Sequence, residues 1–415
     1  MIAHGEAAPA ELLAVGSELT AGLRQDTNTL WLCGELRALH LRVARVTSLP
    51  DRIGVIAAEI GAACSRSALL IVTGGLGPTT DDRTLEGLAQ GLGVRRRVHP
   101  EARAWLQEAL PGKRRELSEA LLRQVRLPVG ARPLRNRRGT APGLLLESGK
   151  SLLVALPGVP DEMRGLWQDE VFPELATRFP VAGKTRRRVV VGGLRESEVD
   201  GMAAPVCLRR GVDCTILAGG GVVELHLEGH GEAVISALHE LRILLAHDLI
   251  SCDGSSLEET VLAAARSRGG HLAVAESCTG GRVAARLTAV PGASDVFLGS
   301  LVVYSDDLKR GLLDVPDMVL RRHGAASQEA ARAMVEGLRR RTGCRWGVAV
   351  TGIAGPQGSG RGKPVGSVWF AAAGPAGVVS RRRRFPGGRH RVQDEAAGMA
   401  LDLLRRTVLS GGSEA

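Results

Sequence analysis

The chain has 415 residues, a formal net charge of +10 and a sequence pI of about 9.9. Its 44% hydrophobic and 24% charged residues are typical of a globular protein with about two to four domains. No apolar run is long enough to span a membrane, and the N-terminus lacks the pattern of a secretory signal. Seven cysteines without a CxxC pair predict neither a zinc site nor a disulfide framework, so we expect a cytoplasmic protein with reduced thiols.

The basic charge alone would suit a nucleic-acid-binding protein. The arginines, however, lie in separate clusters, and only 3% of the residues are aromatic. Proteins that bind single strands usually stack bases on aromatic side chains. Small anionic molecules explain the charge equally well, so we do not expect a nucleic acid as partner.

The first segment alternates strand and helix patterns, which predicts parallel β-α-β units in an α/β domain. The predicted strands cover 11–16, 42–49, 68–75, 143–147 and 151–158, and the predicted helices cover 28–39, 52–64 and 159–176. Residues 180–250 contain no aromatic side chain and suggest a small α+β module. The third segment returns to an α/β pattern, with strands at 271–276 and 346–351 and a hairpin around 374–377.

In the third segment, two predicted strands each end in a glycine-rich loop, ESCTGG (276–281) and TGIAGPQGSG (351–360). Open parallel sheets bind ligands at the carboxyl ends of their strands. Backbone N–H groups in such loops can approach an anion, and a helix beginning at Gly281 would add its dipole. The first loop offers three candidate nucleophiles, Ser277, Cys278 and Thr279, and the spacing does not choose between them. The alternative is a tight structural turn.

The stretch VVYSDDLKR contains Tyr304, the single tyrosine of the chain, and Lys309, one of five lysines among 54 basic residues. A buried lysine can lose its proton and act as a base, whereas arginine stays charged. One interpretation is therefore a proton-handling site. The other is an exposed turn in which Asp306 and Asp307 accompany a solvated lysine.

Five motifs in order, AESCTGG, VVYSDDLK, HGAASQEAARAM, VAVTGIAGP and KPVGSVWF, resemble the C-terminal domain of the CinA family. The resemblance implies a nicotinamide mononucleotide (NMN) deamidase that needs no cofactor. It makes Ser277 the nucleophile and Lys309 its base, and Cys278 becomes a packing residue. The other site residues that it implies are Tyr304 lining the site, Thr279, Gly280, Thr351 and Gly352 near the substrate, and Arg389 at its phosphate.

Two details qualify this assignment. The family usually has aspartate where this chain has Gly388. A lysine base also needs a lowered pKa, which requires burial or a nearby cation, so we expect Asp306 and Asp307 to point away from the amine of Lys309.

The first segment carries a second set of motifs: GSEL (16–19), DTNTLWL (26–32), TGGLGPTTDDRT (73–84), GTAPG (139–143) and LPGVPDEM (156–163). Acidic residues accompany its glycine loops, namely Glu18, Asp26, Asp81 and Asp82 beside Gly74, Gly75 and Gly77. Carboxylates next to a phosphate cradle suggest Mg²⁺ or another divalent cation. The alternative is that Asp81 and Asp82 cap the next helix.

This set resembles the three-layer molybdopterin-binding (MoaB/MogA-like) domain that forms the N-terminal half of CinA proteins. The resemblance implies that Asp82 is the key acid, with Asp81 and Asp82 at a metal, and that the domain hydrolyses ADP-ribose. An asparagine of the family is absent from LLRQV (121–125), which weakens the expectation of this activity.

The family comparison divides the chain into a MoaB/MogA-like domain at 1–178, a KH-like linker domain at 179–252 and the CinA domain at 253–415. A nucleic-acid-binding KH domain needs a GXXG clamp, and 185–230 contains none, so we expect a spacer or dimer contact. The resemblance further implies a homodimer that acts on NMN and ADP-ribose. The alternative function is a competence or DNA-damage accessory protein without deamidase activity.

Overall fold

The computed structural model describes residues 9–39, 41–110, 117–179, 184–358 and 363–410. The chain divides into two compact units, Met1–Ala182 and Gly183–Ala415. The division between the units lies close to the predicted boundary at 178. The further boundary predicted at 252 falls inside the second unit and stays a prediction.

The first unit is built on one six-stranded sheet with helices on both faces. Its elements are β1 (Pro9–Val15), α1 (Ser17–Thr20), α2 (Asn28–Ala38), β2 (Arg42–Leu49), α3 (Ile53–Arg66), β3 (Leu69–Thr73), α4 (Thr84–Gly91), β4 (Arg96–Val98), α5 (Pro100–Ala109), α6 (Glu119–Gln124), β5 (Arg126–Pro128), β6 (Arg132–Leu134), β7 (Gly143–Ser148), β8 (Ser151–Leu156), α7 (Pro160–Leu166), a π-helical turn (Trp167–Val171) and α8 (Phe172–Arg178). The strand order is β2-β1-β3-β8-β7-β6. In this order, β2, β1, β3 and β8 are parallel. The strand β7 is antiparallel to β8, and β6 is antiparallel to β7.

Side chains of the central strands point alternately to the two faces of the sheet and pack against helices on both sides, which gives three layers. Leu12 and Leu13 are both fully buried, but they belong to two different hydrophobic clusters. Successive side chains of a strand point to opposite faces, so a continuous apolar run is expected where helices cover both faces of a sheet. The α/β layer fold predicted from the sequence is therefore confirmed.

The second unit contains two sheets. Its elements are β9 (Lys184–Gly192), α9 (Glu196–Arg210), β10 (Asp213–Gly219), β11 (Val222–His230), α10 (Gly231–Leu245), a 3₁₀ turn (Ala246–Asp248), β12 (Leu249–Ser251), α11 (Leu257–Ser267), β13 (Leu272–Glu276), α12 (Arg282–Thr288), a 3₁₀ turn (Ala293–Asp295), β14 (Phe297–Val302), α13 (Asp306–Leu313), α14 (Asp317–His323), α15 (Gln328–Thr342), β15 (Trp346–Gly352), β16 (Ser367–Gly374), β17 (Gly377–Arg384) and α16 (Arg389–Leu409). The sequence analysis did not predict β10, nor the strands β4, β5, β6, β12 and β14.

The smaller sheet is antiparallel, in the order β10-β11-β9-β12, and its core includes residues of α9 and α10. The larger sheet has the order β14-β13-β15-β16-β17, in which β14, β13 and β15 are parallel. The strands β16 and β17 form the predicted hairpin. The two sheets share the long helix α16, since Arg406 of that helix forms an ion pair with Asp248 at 2.9 Å and donates to Gly192 O.

Local signals explain why α15 forms and why α13 packs tightly against it. The Ser327 hydroxyl accepts from Ala330 N at the helix start, and Gly343 ends the helix in a left-handed conformation (φ 67°). A Cβ on Gly337 would lie 1.8 Å from Leu313 O. Only glycine therefore permits this approach, which fixes the position of the short helix that carries Lys309.

Candidate active site

The loops that the sequence analysis singled out in the third segment meet at one edge of the larger sheet. The parallel strands β13 and β15 are neighbours, and each is followed at its carboxyl end by one of these loops. The chain also turns there from β14 into α13, the segment that holds Tyr304 and Lys309. This is the edge at which parallel sheets bind ligands.

A cavity of about 530 Å³ lies at this edge, a size that suits a ligand such as a nucleotide. Its wall includes six of the predicted site residues: Ser277, Tyr304, Lys309, Thr351, Gly352 and Arg389. Two others do not line it. Thr279 is fully buried and its Oγ1 has no hydrogen-bond partner, while Gly280 is exposed. The last two residues of the predicted loop 351–360 lie outside the described residues.

The ESCTGG loop is held by its own first residue, Glu276, which is completely buried. Its carboxylate accepts hydrogen bonds from the backbone N–H groups of Gly281 (3.0 Å), Val283 (3.1 Å) and Ala284 (3.0 Å). The Ser300 hydroxyl donates to the same carboxylate at 3.2 Å. A buried carboxyl group needs such donors, so Glu276 supplies an internal hydrogen-bond acceptor at the start of α12.

This arrangement corrects one expectation. The sequence analysis assigned the N-terminus of the helix beginning near Gly281 to a ligand anion, but Glu276 already occupies the N–H groups of that helix end. The loop leaves a different donor for a ligand. Within the described residues, the N–H of Cys278, which lies in the cavity wall, donates to no oxygen atom, nor does that of Thr279.

Lys309 is 1% exposed although it lies on a surface helix. Burial lowers the pKa of its amine below the ordinary value, because desolvation penalises the charged form. Asp306 acts in the opposite direction, with its Oδ1 3.6 Å from Lys309 Nζ. The expectation that both aspartates point away from the amine is therefore wrong for Asp306, whereas Asp307 pairs with Arg310. Desolvation nevertheless exceeds the attraction, because Asp306 is half exposed and solvent screens it.

Two features separate Ser277 from its neighbour Cys278 as a nucleophile. Burial raises the pKa of the Cys278 thiol to about 12, so its thiolate is scarce at neutral pH. The amide of Gln393 on α16 donates to Cys278 O at 2.8 Å and anchors the loop behind the cavity. Ser277 is 7% exposed, and in the part of the chain that the structure describes no hydrogen bond joins its Oγ to Lys309 Nζ. Such bonds are often long before substrate binds.

The opposite wall is cationic and is braced by backbone carbonyls. Arg389 donates to Gly355 O at 2.8 Å and to the Tyr304 hydroxyl. These two bonds use only part of the five guanidinium N–H donors. The Thr351 hydroxyl donates to Ala325 O at 2.8 Å, which ties β15 to the loop before α15.

Sequence reasoning missed a second lysine in the wall, Lys363. Its amine donates to His323 O (2.7 Å) and Ala326 O (2.5 Å) and lies 5.1 Å from the centre of the Trp369 ring. The rarity of lysine in this chain was a signal for it, as it was for Lys309. Glu276 and Gln393 were also missed, because their partners become apparent only when the loop is folded.

The N-terminal motifs also assemble at strand ends, where β1 and β3 lie side by side in the first unit. A Cβ on Gly74 would lie 2.1 Å from Val15 O, and one on Gly75 would lie 2.4 Å from Thr84 Oγ1. Both glycines have positive φ angles, 99° and 66°. The glycines therefore permit the close packing of these loops, and a phosphate cradle at this place stays a prediction.

The acidic residues of this unit are largely engaged by their own loops. Asp82 accepts from Thr79 N (2.8 Å) and Thr79 Oγ1 (2.6 Å), and Asp26 accepts from Thr29 N (3.0 Å). Asp82 therefore closes a turn and does not cap α4. Asp81 and Glu18 are exposed or partly exposed. Asn28 was missed: its side chain donates to Gly158 O at 2.8 Å, and its Oδ1 is buried without a partner.

These donors do not by themselves form a metal centre. Among the residues with described positions, no group of three or more His, Cys, Asp or Glu side chains could hold a metal ion. The carboxylate of Asp82 is already bonded to Thr79, so it fits a structural role better than a ligand role. A divalent cation at this site stays a prediction.

Within the same described ranges, no helix is long and apolar enough to cross a bilayer.

Both halves of the chain match models of known protein families. Residues 254–408 match the model of the CinA C-terminal domain, and residues 11–177 match that of the probable molybdopterin binding domain. A CinA-like protein of Synechococcus sp. (strain RCC307) is 42% identical over 409 residues, covering 95% of this chain and 97% of that protein. A CinA-like protein of Koribacter versatilis (strain Ellin345) is 38% identical over 412 residues, covering 96% and 100%.

Among solved structures, the protein CinA with unknown function from Thermoplasma acidophilum is 31% identical and matches 41% of this chain and 98% of its own, with a TM-score of 0.39. The two relatives from Synechococcus and Koribacter align with this chain over nearly their whole length at well above 30% identity. The chain therefore belongs to the CinA family.

Proposed function

We propose that the cavity at the ends of β13 and β15 hydrolyses the carboxamide of NMN to nicotinate mononucleotide and ammonia. The observation that carries the proposal is the buried amine of Lys309, whose pKa is held down by desolvation, in the wall of the same cavity as Ser277. Lowering the pKa of a lysine raises the fraction of its neutral, basic form, and a serine hydroxyl needs such a base. The family resemblance supplies the substrate.

In the proposed reaction, Ser277 Oγ attacks the carboxamide carbon while neutral Lys309 takes the hydroxyl proton. Lys309 then returns this proton to the departing nitrogen, which leaves as ammonia, and an ester of Ser277 remains. Water attacks the ester and gives its proton to Lys309. The carboxylic acid is released as the serine oxygen regains a proton. The N–H of Cys278, which donates to no oxygen atom within the described residues, would stabilise the negative charge that develops on the carbonyl oxygen.

The charge of the wall suits the substrate phosphate. Arg389 keeps unused N–H donors after bonding Gly355 O and Tyr304, and a guanidinium can grip a phosphate through two parallel hydrogen bonds. In this arrangement Tyr304 orients Arg389, and the phosphate is bound by side chains instead of by the N-terminus of α12. No metal or cofactor takes part in these steps.

The direct test is ammonia release from NMN by the purified full-length chain. Ser277→Ala should lower kcat/KM by several orders of magnitude, as removal of a nucleophile does. Cys278→Ala is the matched control on the neighbouring residue and should keep most of the activity. An inactive Cys278→Ala enzyme beside an active Ser277→Ala enzyme would reject the serine mechanism. Absence of ammonia release from the wild type would reject the function.

A second activity, hydrolysis of ADP-ribose to AMP and ribose 5-phosphate, is proposed for the first unit on the basis of its assembled glycine loops and the unpartnered Oδ1 of Asn28. If it depends on the predicted divalent cation, EDTA should abolish it and Asp82→Ala should remove it. Full activity in EDTA would refute the metal requirement. Because Asp82 also closes the turn at Thr79, Asp82→Asn, which preserves the acceptor, serves as the milder variant.

The alternative role, a DNA-binding accessory protein, predicts affinity for oligonucleotides that falls steeply with salt. Retained NMN hydrolysis with salt-insensitive, weak DNA binding would exclude it.

Homodimer formation is proposed from the family resemblance, and sedimentation of the full chain tests it.

A further inference from the structure

A second cavity of about 580 Å³ lies within the second unit, away from Ser277 and Lys309. It is bounded by β17, the first turns of α16, the turn after β9 and the turn between β10 and β11. Five arginines line it: Arg195, Arg382, Arg383, Arg384 and Arg391. Only two acidic residues do so, Glu196 and Glu395. The wall therefore carries a clear excess of positive charge.

Close backbone contacts give the cavity a fixed floor. A Cβ on Gly398 of α16 would lie 1.8 Å from Gly220 O, and one on Gly221 would lie 2.8 Å from Glu395 O. Arg383 reaches across and donates to Gly193 O at 3.0 Å. The turns of the smaller sheet are thus held against the helix, and arginines from separate elements border one cavity.

Elsewhere in the chain, many described arginines form ion pairs with nearby carboxylates, as Arg188 does with Glu224. In the described part of the chain, Arg384 and Arg391 form no ion pair, and Arg382 lies 5.0 Å from the centre of the Trp369 ring. Guanidinium groups gathered without counter-charges repel one another, at about 1 kcal/mol for a pair 4 Å apart in water. A bound anion removes this cost.

We propose that this arginine-lined cavity binds a small anion with two or more linked phosphates, such as the pyrophosphate or triphosphate group of a nucleotide. Guanidinium groups match phosphate oxygens in pairs, and arginines arriving from three elements exceed what one phosphate can engage. The volume is that of a nucleotide-sized ligand. The cavity presents no exposed aromatic ring for base stacking, since Phe385 is buried, so phosphate is the recognised group.

The test is calorimetric titration of the full chain with sodium tripolyphosphate, with orthophosphate as the comparison. We expect saturable binding that is at least tenfold tighter for tripolyphosphate. The double variant Arg384→Gln/Arg391→Gln should lose one binding event per chain or at least tenfold in affinity. Both side chains are exposed, so the variant is expected to fold.

Two controls place the site. Arg340→Gln removes an exposed arginine on α15 and should leave the titration unchanged. Hydrogen exchange should show protection of 193–196 and 219–221 by tripolyphosphate in the wild type and not in the double variant. Unchanged titration and exchange in the double variant would overturn the proposal. So would oligonucleotide binding that is tighter than tripolyphosphate binding and is lost in that variant.

Discussion

Replacing Lys309 by methionine removes the amine while keeping an unbranched side chain of similar length. The structure predicts two opposite effects. Activity should fall because the proposed base is lost, by about 10²- to 10⁴-fold, the usual contribution of such a group. Stability at neutral pH should rise, because the native environment disfavours the charged form of Lys309 overall and methionine has no such form.

The size and pH dependence of the stability gain follow from the lowered pKa. Each pKa unit by which the native value lies below that of the unfolded chain lowers the free energy of unfolding of the wild type by about 1.4 kcal/mol. For a folded domain of the size of the second unit, this corresponds to about 3–6 °C in Tm. The cost is complete below the native pKa and disappears above about pH 10.5, where the lysine is neutral in the unfolded chain as well. The attraction of the half-exposed Asp306 is already contained in this net lowering of the pKa, so it makes no separate contribution.

The measurements are NMN hydrolysis and thermal unfolding of the full chain between pH 7 and pH 10.5. The Tm advantage of Lys309→Met should be largest at neutral pH and should close as the pH rises. Lys150→Met, at an exposed lysine, is the control and should change neither the activity nor the pH dependence. A methionine variant that is less stable at pH 7 by a pH-independent amount would show that Lys309 is a charged, paired residue. The role of a neutral base would then be refuted.

Three further predictions concern the same site. Lys309→Arg should be nearly inactive while still binding NMN within about tenfold, because its proton is not released near neutral pH; an active variant would exclude lysine as the base. Glu276→Gln should leave one backbone donor of α12 unpaired, costing about 1–3 kcal/mol, and hydrogen exchange at Gly281–Ala284 should accelerate at least fivefold; unchanged exchange would contradict the anchoring role. Gly337→Ala should lower Tm and activity by displacing Lys309, whereas Gly311→Ala, where a Cβ meets open space, should not; equal behaviour would contradict the packing argument.

Most of the longer strands were predictable because their patterns are local. The strand predicted at 42–49 is β2 to the residue, and the arginine-rich hairpin forms as expected. The strand β10 was missed, since all seven positions of DCTILAG are exposed or half-exposed and no buried face marks it as a strand. Its place in the sheet comes from pairing with β11, which is a tertiary fact.

The site was predictable in its membership and less so in its electrostatics. Six implied residues line one cavity, yet no local pattern indicated that Glu276 would occupy the start of α12. Charge counting alone also suggested that Asp306 must point away from Lys309. Burial decides the direction of the lysine pKa, and burial depends on how tightly α13 packs on α15 at Gly337. Neither the burial of Lys309 nor the packing of α13 on α15 can be obtained from the order of residues along one segment.

The anchoring of the ESCTGG loop by Glu276 and Gln393 has a consequence for protein engineering. Both anchors lie behind the cavity, so the shape of the nucleophile loop does not depend on the side chains that face the ligand. The opposite wall carries the side chains of Tyr304 and Arg389 and the loop after β15. Side-chain substitutions in that wall, which leave both anchors in place, should therefore redirect the selectivity of the pocket while the reactive serine keeps its position, so one scaffold can be adapted to different carboxamides.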